Sequence, residues 1–269
     1  MSVEFNEQEI KELMKKLSKK RPLFDSEDDF KFSLAWAIEE KYEEKGENIE
    51  IRLEKKMNNN KNASRREECN KNNENQRIDI FIIVKNENNV EKIGIELKYF
   101  TADLEWHDDK NDEYIILKEQ SAYNHKCYDA WYDVKRLEDF IKCGNINKGF
   151  AIWLTNIESL TDDWDKVKKK FEKDLNKKPN HYDFFISNKR KIPDDDYRPN
   201  PKNGCVKLKW ADPNKKGIED RKKPITIKGN YEISWNEYKD LSNELKNINE
   251  KSSNKKKSNM KFKYAIIGA

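Results

Sequence analysis

Two runs, residues 78–84 and 149–154, concentrate large apolar side chains in a chain whose hydrophobic residues make up only 35% of its 269. Runs this short and this apolar are the pattern of strands buried within a sheet. They exclude a wholly disordered chain, even though 39% of the residues are charged. Around the first run, residues 77–85 and 92–100 both read as strands. The turn-rich Asn86-Glu87-Asn88-Asn89 between them predicts a β-hairpin. The two runs can supply a core.

The remaining elements follow from periodicity. Residues 7–19 carry Ile10, Leu13, Met14 and Leu17 at helical spacing. A second helix should start near Ser26, a capping residue with Asp29 three positions on. Its apolar face is Phe30, Leu34, Ala37 and Ile38, with Trp36 off that face. Residues 49–53 alternate like a strand, and a shorter hairpin is expected over 103–118, turning at 108–111. Residues 120–142 form a long helix with Trp131, Val134, Leu137 and Ile141 inward. Beyond 156 the pattern weakens. Short strands are expected at 182–186, 205–210 and 224–231, with a last helix over 235–246. Residues 252–257 read as a flexible basic linker.

The net charge of +4 conceals a division. Residues 165–269 hold 28 basic and 15 acidic residues, a net of +13, and residues 1–164 hold 27 against 36, a net of −9. Such asymmetry suits a polyanionic partner. A coding bias toward Lys and Asn, which number 46 and 31, gives the same composition. No stretch approaches the roughly 20 apolar residues of a membrane span, and the start lacks a signal-peptide core. A soluble, cytoplasmic protein is expected. The four cysteines, at 69, 127, 143 and 205, include no C-x-x-C pair. Reduced thiols are therefore expected rather than a zinc site.

The chemistry is concentrated in Asp79 on the first strand of the hairpin and Glu96-Leu97-Lys98 on the second. Glu96 and Lys98 share one strand face. If the hairpin closes symmetrically about Asn88-Asn89, paired residue numbers sum to 177. Asp79 then lies opposite Lys98 and diagonal to Glu96. An even sum would send Asp79 to the other face. Two carboxylates and a lysine suit Mg²⁺, which uses one or two protein carboxylates plus waters and substrate phosphate. Lys98 could then orient a water, or take its proton once its pKa is lowered. The competing reading is a solvated charged face on an amphipathic hairpin.

The order of elements and several further segments bear on that choice. These are Phe24-x-Ser26-Glu27-x-Asp29-Phe30, Leu34-Ala35-Trp36, Arg52-Leu53-Glu54, Ile95-Glu96-Leu97-Lys98-Tyr99, Gln120-Ser121-Ala122 and Asp133-Val134-x-Arg136-Leu137-Glu138. Tyr128-Asp129, Lys209-Trp210, Gly229-Asn230-Tyr231, Trp235 and Tyr238 extend the match. Together they resemble the PD-(D/E)XK nuclease superfamily, in particular a family of standalone bacterial and archaeal proteins with a nuclease-like core. The likeness covers roughly residues 22–240. It implies an α/β fold with a restriction-endonuclease-like core, a central mixed β-sheet flanked by helices, and a β-rich basic C-terminal extension. It divides the chain into an N-terminal helix (1–21), the core (22–160, with a mobile Asn-rich loop at 57–76), the extension (161–250) and a flexible basic tail (251–269).

Carried over position by position, the resemblance makes Asp79 and Glu96 the metal ligands and Lys98 the catalytic lysine. Glu27 becomes the acid contributed by the first core helix, and Gln120 a polar residue beside the site. It implies Mg²⁺, with Mn²⁺ as a substitute, and Mg-dependent phosphodiester hydrolysis in nucleic acid. DNA is the expected substrate, cut by an endonuclease of restriction, defence or repair, and a homodimer is compatible with this. Ile78 stands where the nominal motif has Pro, and Cys127 where Arg is expected before Tyr-Asp. The alternative is a nucleic-acid-binding protein on the same fold that does not cut. A partner-binding protein whose charge pattern carries no meaning is a second alternative.

Residue by residue, bland readings stand beside these. Glu27 is also a helix N-terminal acid favoured by the dipole, and Gln120 also a cap for the long helix. Asp133 and Arg136 read as a surface i, i+3 ion pair before a substrate clamp. Arg65, Arg66 and residues 255–257 read as solvated charge before phosphate contacts.

Overall fold

The structure, a computed structural model, describes residues 5–57, 76–86, 89–109, 111–120, 122–172, 182–193, 204–210, 223–242 and 260–269. Helices α1 (Glu7–Lys20) and α2 (Glu27–Glu44) begin as their sequences direct. Asn6 Oδ1 accepts the Glu9 N–H at 3.1 Å, and Ser26 Oγ accepts that of Asp29 at 3.0 Å. Both bury their expected apolar faces, while Trp36 stands 75% exposed.

The strands are β1 (Ile49–Lys56), β2 (Arg77–Asn86) and β3 (Asn89–Phe100), followed by the small hairpin β4 (Leu104–Asp108) and β5 (Glu113–Leu117). The long helix α3 (Tyr123–Lys142) leads into β6 (Lys148–Thr155), and a short α4 (Trp164–Lys169) follows. Next come β7 (Lys191–Ile192), β8 (Val206–Leu208), β9 (Ile225–Ile227), β10 (Tyr231–Glu232), β11 (Asn236–Asp240) and β12 (Lys261–Gly268). Six strands form one sheet in the order β1-β2-β3-β6-β12-β11. Only β3 and β6 are parallel neighbours, so the sheet is mixed. One face packs on α1 and α2. The other packs on α3, backed by β7 to β10. The protein is thus α/β, with helices on both faces. No helix among the described residues is long and apolar enough to cross a membrane.

Several expectations need correction. The flexible tail expected over 251–269 does not extend over its last residues, because Lys261–Gly268 is an inner strand between β6 and β11. Tyr264, Ala265, Ile266 and Ile267 are buried there, an apolar run beside a lysine-rich one. The helix over 235–246 is instead edge strand β11 as far as Asp240. Trp235, Tyr238 and Leu241 imitate helical spacing, but Asn236–Asp240 pairs with β12. The strand at 182–186 is a single 3₁₀ turn, Tyr182–Phe184. The C-terminal third therefore completes the main sheet and backs α3 as well as extending it. Cys127 and Cys205 are not in disulfides, whereas Cys143 is disulfide-bonded, against the expectation of reduced cysteines. Most of the Asn-rich loop (58–75, with Arg65 and Arg66) and residues 251–259 of the basic segment lie outside the described residues.

A glycine pair seats α3. Gly94 and Gly149 are partners in the parallel register of β3 and β6. A Cβ on Gly149 would come within 3.0 Å of Leu137 Cβ, and one on Gly94 within 2.9 Å of Ile78 Cδ1 and 3.4 Å of Leu137 Cδ2. The missing side chains let Leu137 press onto the sheet. On the same helix, Asp133 one turn earlier and Arg136 just before Leu137 reach the residues of β3.

Candidate active site

The cluster forms where β2 parts from β3. The β2–β3 ladder ends at Ile80↔Ile95, while β2 continues against β1 to Arg77↔Lys56. Pair numbers sum to 175 rather than 177, because Asn86 pairs with Asn89. The odd parity holds. One step past the last pair, Asp79 comes level with Glu96 instead of Lys98. Past the fork, β3 has N–H groups that β2 no longer satisfies. Two carboxylates take them: Asp79 Oδ2 accepts the Leu97 N–H, and Glu27 Oε2 accepts the Tyr99 N–H, each at 2.8 Å.

The backbone is irregular here. Ile80, Ile82 and Val84 pack with α1 and α2, but Ile78 packs on the α3 side, so strand alternation breaks at Asp79. Across β1, between the pairs Leu53↔Ile80 and Lys55↔Ile78, Glu54 has φ of 49°. Left-handed backbone at a residue other than glycine costs about 1–3 kcal/mol and persists where surrounding structure enforces it. Glu54 hydrogen-bonds Lys31 of α2. Lys31 Nζ also lies 2.7 Å from Asp28 Oδ1 and 4.0 Å from Asp79 Oδ1.

From the other side, α3 supplies Asp133 and Arg136. Arg136 Nη1 bonds Asp133 Oδ1 at 3.0 Å, and Nη2 bonds Glu96 Oε1 at 2.6 Å and the Arg77 carbonyl. Asp133 Oδ2 lies 2.7 Å from Lys98 Nζ. Glu96 and Asp133 are 3% and 4% exposed. The surface ion pair expected at 133 and 136 is in fact buried, and it ties Glu96 to Lys98. Lys98 Nζ donates to Leu97 O at 2.9 Å and lies 3.7 Å from Glu27 Oε1.

These contacts join six carboxylates (Glu27, Asp28, Glu54, Asp79, Glu96, Asp133) to three cations (Lys31, Lys98, Arg136). Fully ionised, the network carries a formal −3. Burial pushes Asp79 above the usual carboxylate range, with Asp133 and Glu27 adding to it against the Leu97 N–H and Lys98. Burial pushes Glu96 well above that range, Asp133 and Asp79 adding to it, and Arg136 does not cancel them. Lys98 moves the opposite way to expectation. Burial opposes its charge, but Asp133 and Glu27 outweigh burial and raise it above the usual lysine value. In this arrangement Lys98 is held as an ammonium donor, which favours its role of orienting a water over that of taking a proton.

Gln120 sits at the margin. The β4–β5 hairpin returns the chain to the end of β3, where the Gln120 N–H donates to Thr101 O at 3.1 Å. Its side-chain oxygen accepts from Lys126 Nζ. It does not cap α3, whose N-cap is Ala122 with no side-chain bond. Burial holds Lys126 below the usual lysine value, Lys98 repelling it and Glu27 only partly compensating. Of the five residues expected at the site, Glu27, Asp79, Glu96 and Lys98 converge, while Gln120 bonds Lys126 at the margin, outside the network.

Among the described residues no group of three or more His, Cys, Asp or Glu side chains is arranged to hold a metal ion. The two carboxylates that an ion would draw on are Asp79 and Glu96; burial raises both, and Asp79 adds to the rise at Glu96. A divalent cation would relieve the repulsion between them, and Mg²⁺ asks for no more than two protein carboxylates.

Sequence reasoning missed Lys31 and Glu54, and placed Asp133 and Arg136 at the surface. Lys31 falls in register with Ala35 and Ile38, and Asp133 with Ala130 and Leu137. A charge at a buried helical position was thus the available signal in both cases. The left-handed backbone of Glu54 has no sequence signature. No family model, curated protein or solved structure matches this chain.

Proposed function

We propose that the protein is a Mg²⁺-dependent nuclease acting on DNA, on a PD-(D/E)XK-like core. One observation carries this reading. Asp79 and Glu96 meet at the fork of β2 and β3 with the Lys98 ammonium beside them, in a network with three carboxylates in excess. The inner members, Asp79, Glu96 and Asp133 with Lys31, Lys98 and Arg136, balance in formal charge, and Glu27, Asp28 and Glu54 add theirs at the exposed margin; so many titratable groups drawn together at some desolvation cost suit a functional site.

Asp79 and Glu96 would hold the ion, which when bound neutralises charge on the phosphate and acidifies a water. Lys98, kept charged by Asp133 and Glu27, orients the attacking water and faces the scissile phosphate. Arg136 fixes Glu96 and Asp133 relative to each other, and Glu27 pins the β3 backbone at Tyr99. Lys126 forms no ion pair within 4.0 Å among the described residues, which suits it, with Gln120, to a phosphate at the edge of the cluster.

A binding-only reading draws on one contact, the Arg136 bond that occupies Glu96. The test is digestion of plasmid, duplex, single-stranded DNA and RNA with Mg²⁺ or Mn²⁺, run beside Asp79→Asn. Cleavage of DNA by wild type alone is the expected result. Salt-dependent DNA binding without cleavage would replace it with the binding reading.

A further inference from the structure

The main sheet ends at β1, which has β2 on one side and no strand on the other among the described residues. Its regular part is short. Leu53 still pairs with Ile80, but Glu54 takes left-handed backbone and interrupts the strand, so Ile49-Glu50-Ile51-Arg52-Leu53 is the straight edge. One bond gives the direction of its backbone groups. The Lys85 N–H donates to Asn48 O at 3.2 Å, so Asn48 turns its carbonyl toward β2. Along an antiparallel strand these groups alternate in side. Glu50 and Arg52 therefore turn theirs the same way, and the N–H and C=O groups of Ile49, Ile51 and Leu53 face outward. An edge of this kind is a template for a further strand.

These five residues are complementary to themselves. In an antiparallel pair of two copies centred on Ile51, Ile51 meets Ile51, Ile49 meets Leu53, and Glu50 of each chain meets Arg52 of the other. The apolar pairs are the outward-facing ones, so their backbones exchange the hydrogen bonds. The charged pairs fall between them, at the positions where side chains approach more closely. Ile49, Ile51 and Leu53 are only partly buried against the α1–α2 side of the core, and a second copy continues that apolar surface. The Glu50 and Arg52 side chains are 37% and 46% exposed, and Arg52 Nε bonds Glu50 Oε1 at 2.6 Å within the strand. An exposed pair like this is worth little, so it exchanges readily for one between chains. Charge disfavours the neighbouring registers. Centring on residue 50 sets Glu50 on Glu50, and centring on residue 52 sets Arg52 on Arg52 and Glu50 on Glu54.

We propose that the β1 edge is the docking surface for a second copy of this chain, with residues 49–53 of the two chains pairing antiparallel about Ile51 to join their sheets into one. The interface is isologous, as a two-fold dimer requires. Glu50 and Arg52 lie outside the charged network of the candidate site, so the inference stands apart from the hydrolytic reading.

The test is sedimentation equilibrium of the full chain beside the single variants Glu50→Arg and Arg52→Glu. Wild type should be a reversible dimer. Each variant sets like charges across both charged pairs and should raise the dissociation constant at least about tenfold. An equimolar mixture of the two variants, one carrying a mass tag, sets opposite charges across both pairs and should form the mixed dimer as tightly as wild type. Both variants lose the ion pair within the strand, so only contact between chains accounts for that recovery. A monomeric wild type overturns the inference, as does a dimer that neither variant weakens or a mixture that does not recover. Hydrogen exchange on wild type needs no variant: residues 49–53 should gain protection in the dimer over the diluted monomer, and equal exchange in the two states overturns the inference as well.

Discussion

Replacing Glu96 by Gln separates a functional carboxylate from a structural ion-pair partner. Glu96 lies 2.6 Å from Arg136, and a buried pair of this kind invites the view that it holds α3 to the sheet. Its environment argues otherwise, because burial, Asp133 and Asp79 together outweigh Arg136 and raise its pKa well above the usual value. The sign follows directly. In the unfolded chain a glutamate releases its proton near pH 4.3, whereas in the fold it keeps that proton to higher pH. Between those two values the folded state binds one proton more. Stability is therefore fully present below the unfolded value and falls by up to about 1.4 kcal/mol for each pH unit as pH rises toward the folded value. The Glu96→Gln substitution removes that slope, while the amide oxygen it introduces can still accept from Arg136. Urea denaturation from pH 5 to 8 in EDTA should show the two proteins nearly equal at pH 5 and the variant increasingly more stable above it. Mg²⁺ at about 100 times its Kd should return roughly 2.7 kcal/mol to wild type and little to the variant. A variant weaker by about 3–5 kcal/mol at every pH, with a parallel slope, would mean that Glu96 is ionised and structural, and the reasoning would fail.

Other perturbations reach different parts of the molecule. Gly149→Ala places a Cβ 3.0 Å from Leu137 Cβ and should cost about 1–3 kcal/mol in urea denaturation, an overpacking effect that Leu137→Ala in the same chain partly relieves. Deleting residues 261–269 removes an inner strand. It should abolish the cooperative thermal transition seen by circular dichroism, where loss of a mere tail would leave it intact. Asp133→Asn removes the largest carboxylate support for the Lys98 charge and leaves Glu27 and Asp79 to oppose burial. The alkaline limb of the cleavage pH profile should move to lower pH, and an unmoved limb would detach Lys98 from that limb.

Where the sequence carried a local chemical signal, the elements could be read from it. Ser26 and Asp29 announced the start of α2, and the apolar positions of α1, α2 and α3 gave their buried faces. The hairpin register needed one more fact, which two of the four residues 86–89 form the turn. That choice moved Asp79 from Lys98 to Glu96 without changing its parity. Strand β12 was hidden by its neighbours, since the lysine run before it suggested solvent while residues 264–267 carried the pattern of a buried strand. Asp133 and Lys31 show the limit of charge reading: position on a helix face decides burial, and a titratable residue on an apolar face marks a site. The break in alternation at Asp79 and the left-handed Glu54 arise from tertiary pairing alone.

Hydrolysis of phosphodiesters by the Asp79, Glu96 and Lys98 cluster with a divalent ion stands or falls on one comparison. Single-turnover cleavage of labelled duplex DNA in Mg²⁺ is measured for wild type and Lys98→Met purified side by side. Wild type should cleave in a manner that EDTA abolishes, and the variant should be at least about 100-fold slower with DNA affinity little changed. Equal rates in the two proteins would place the chemistry elsewhere and contradict the proposal.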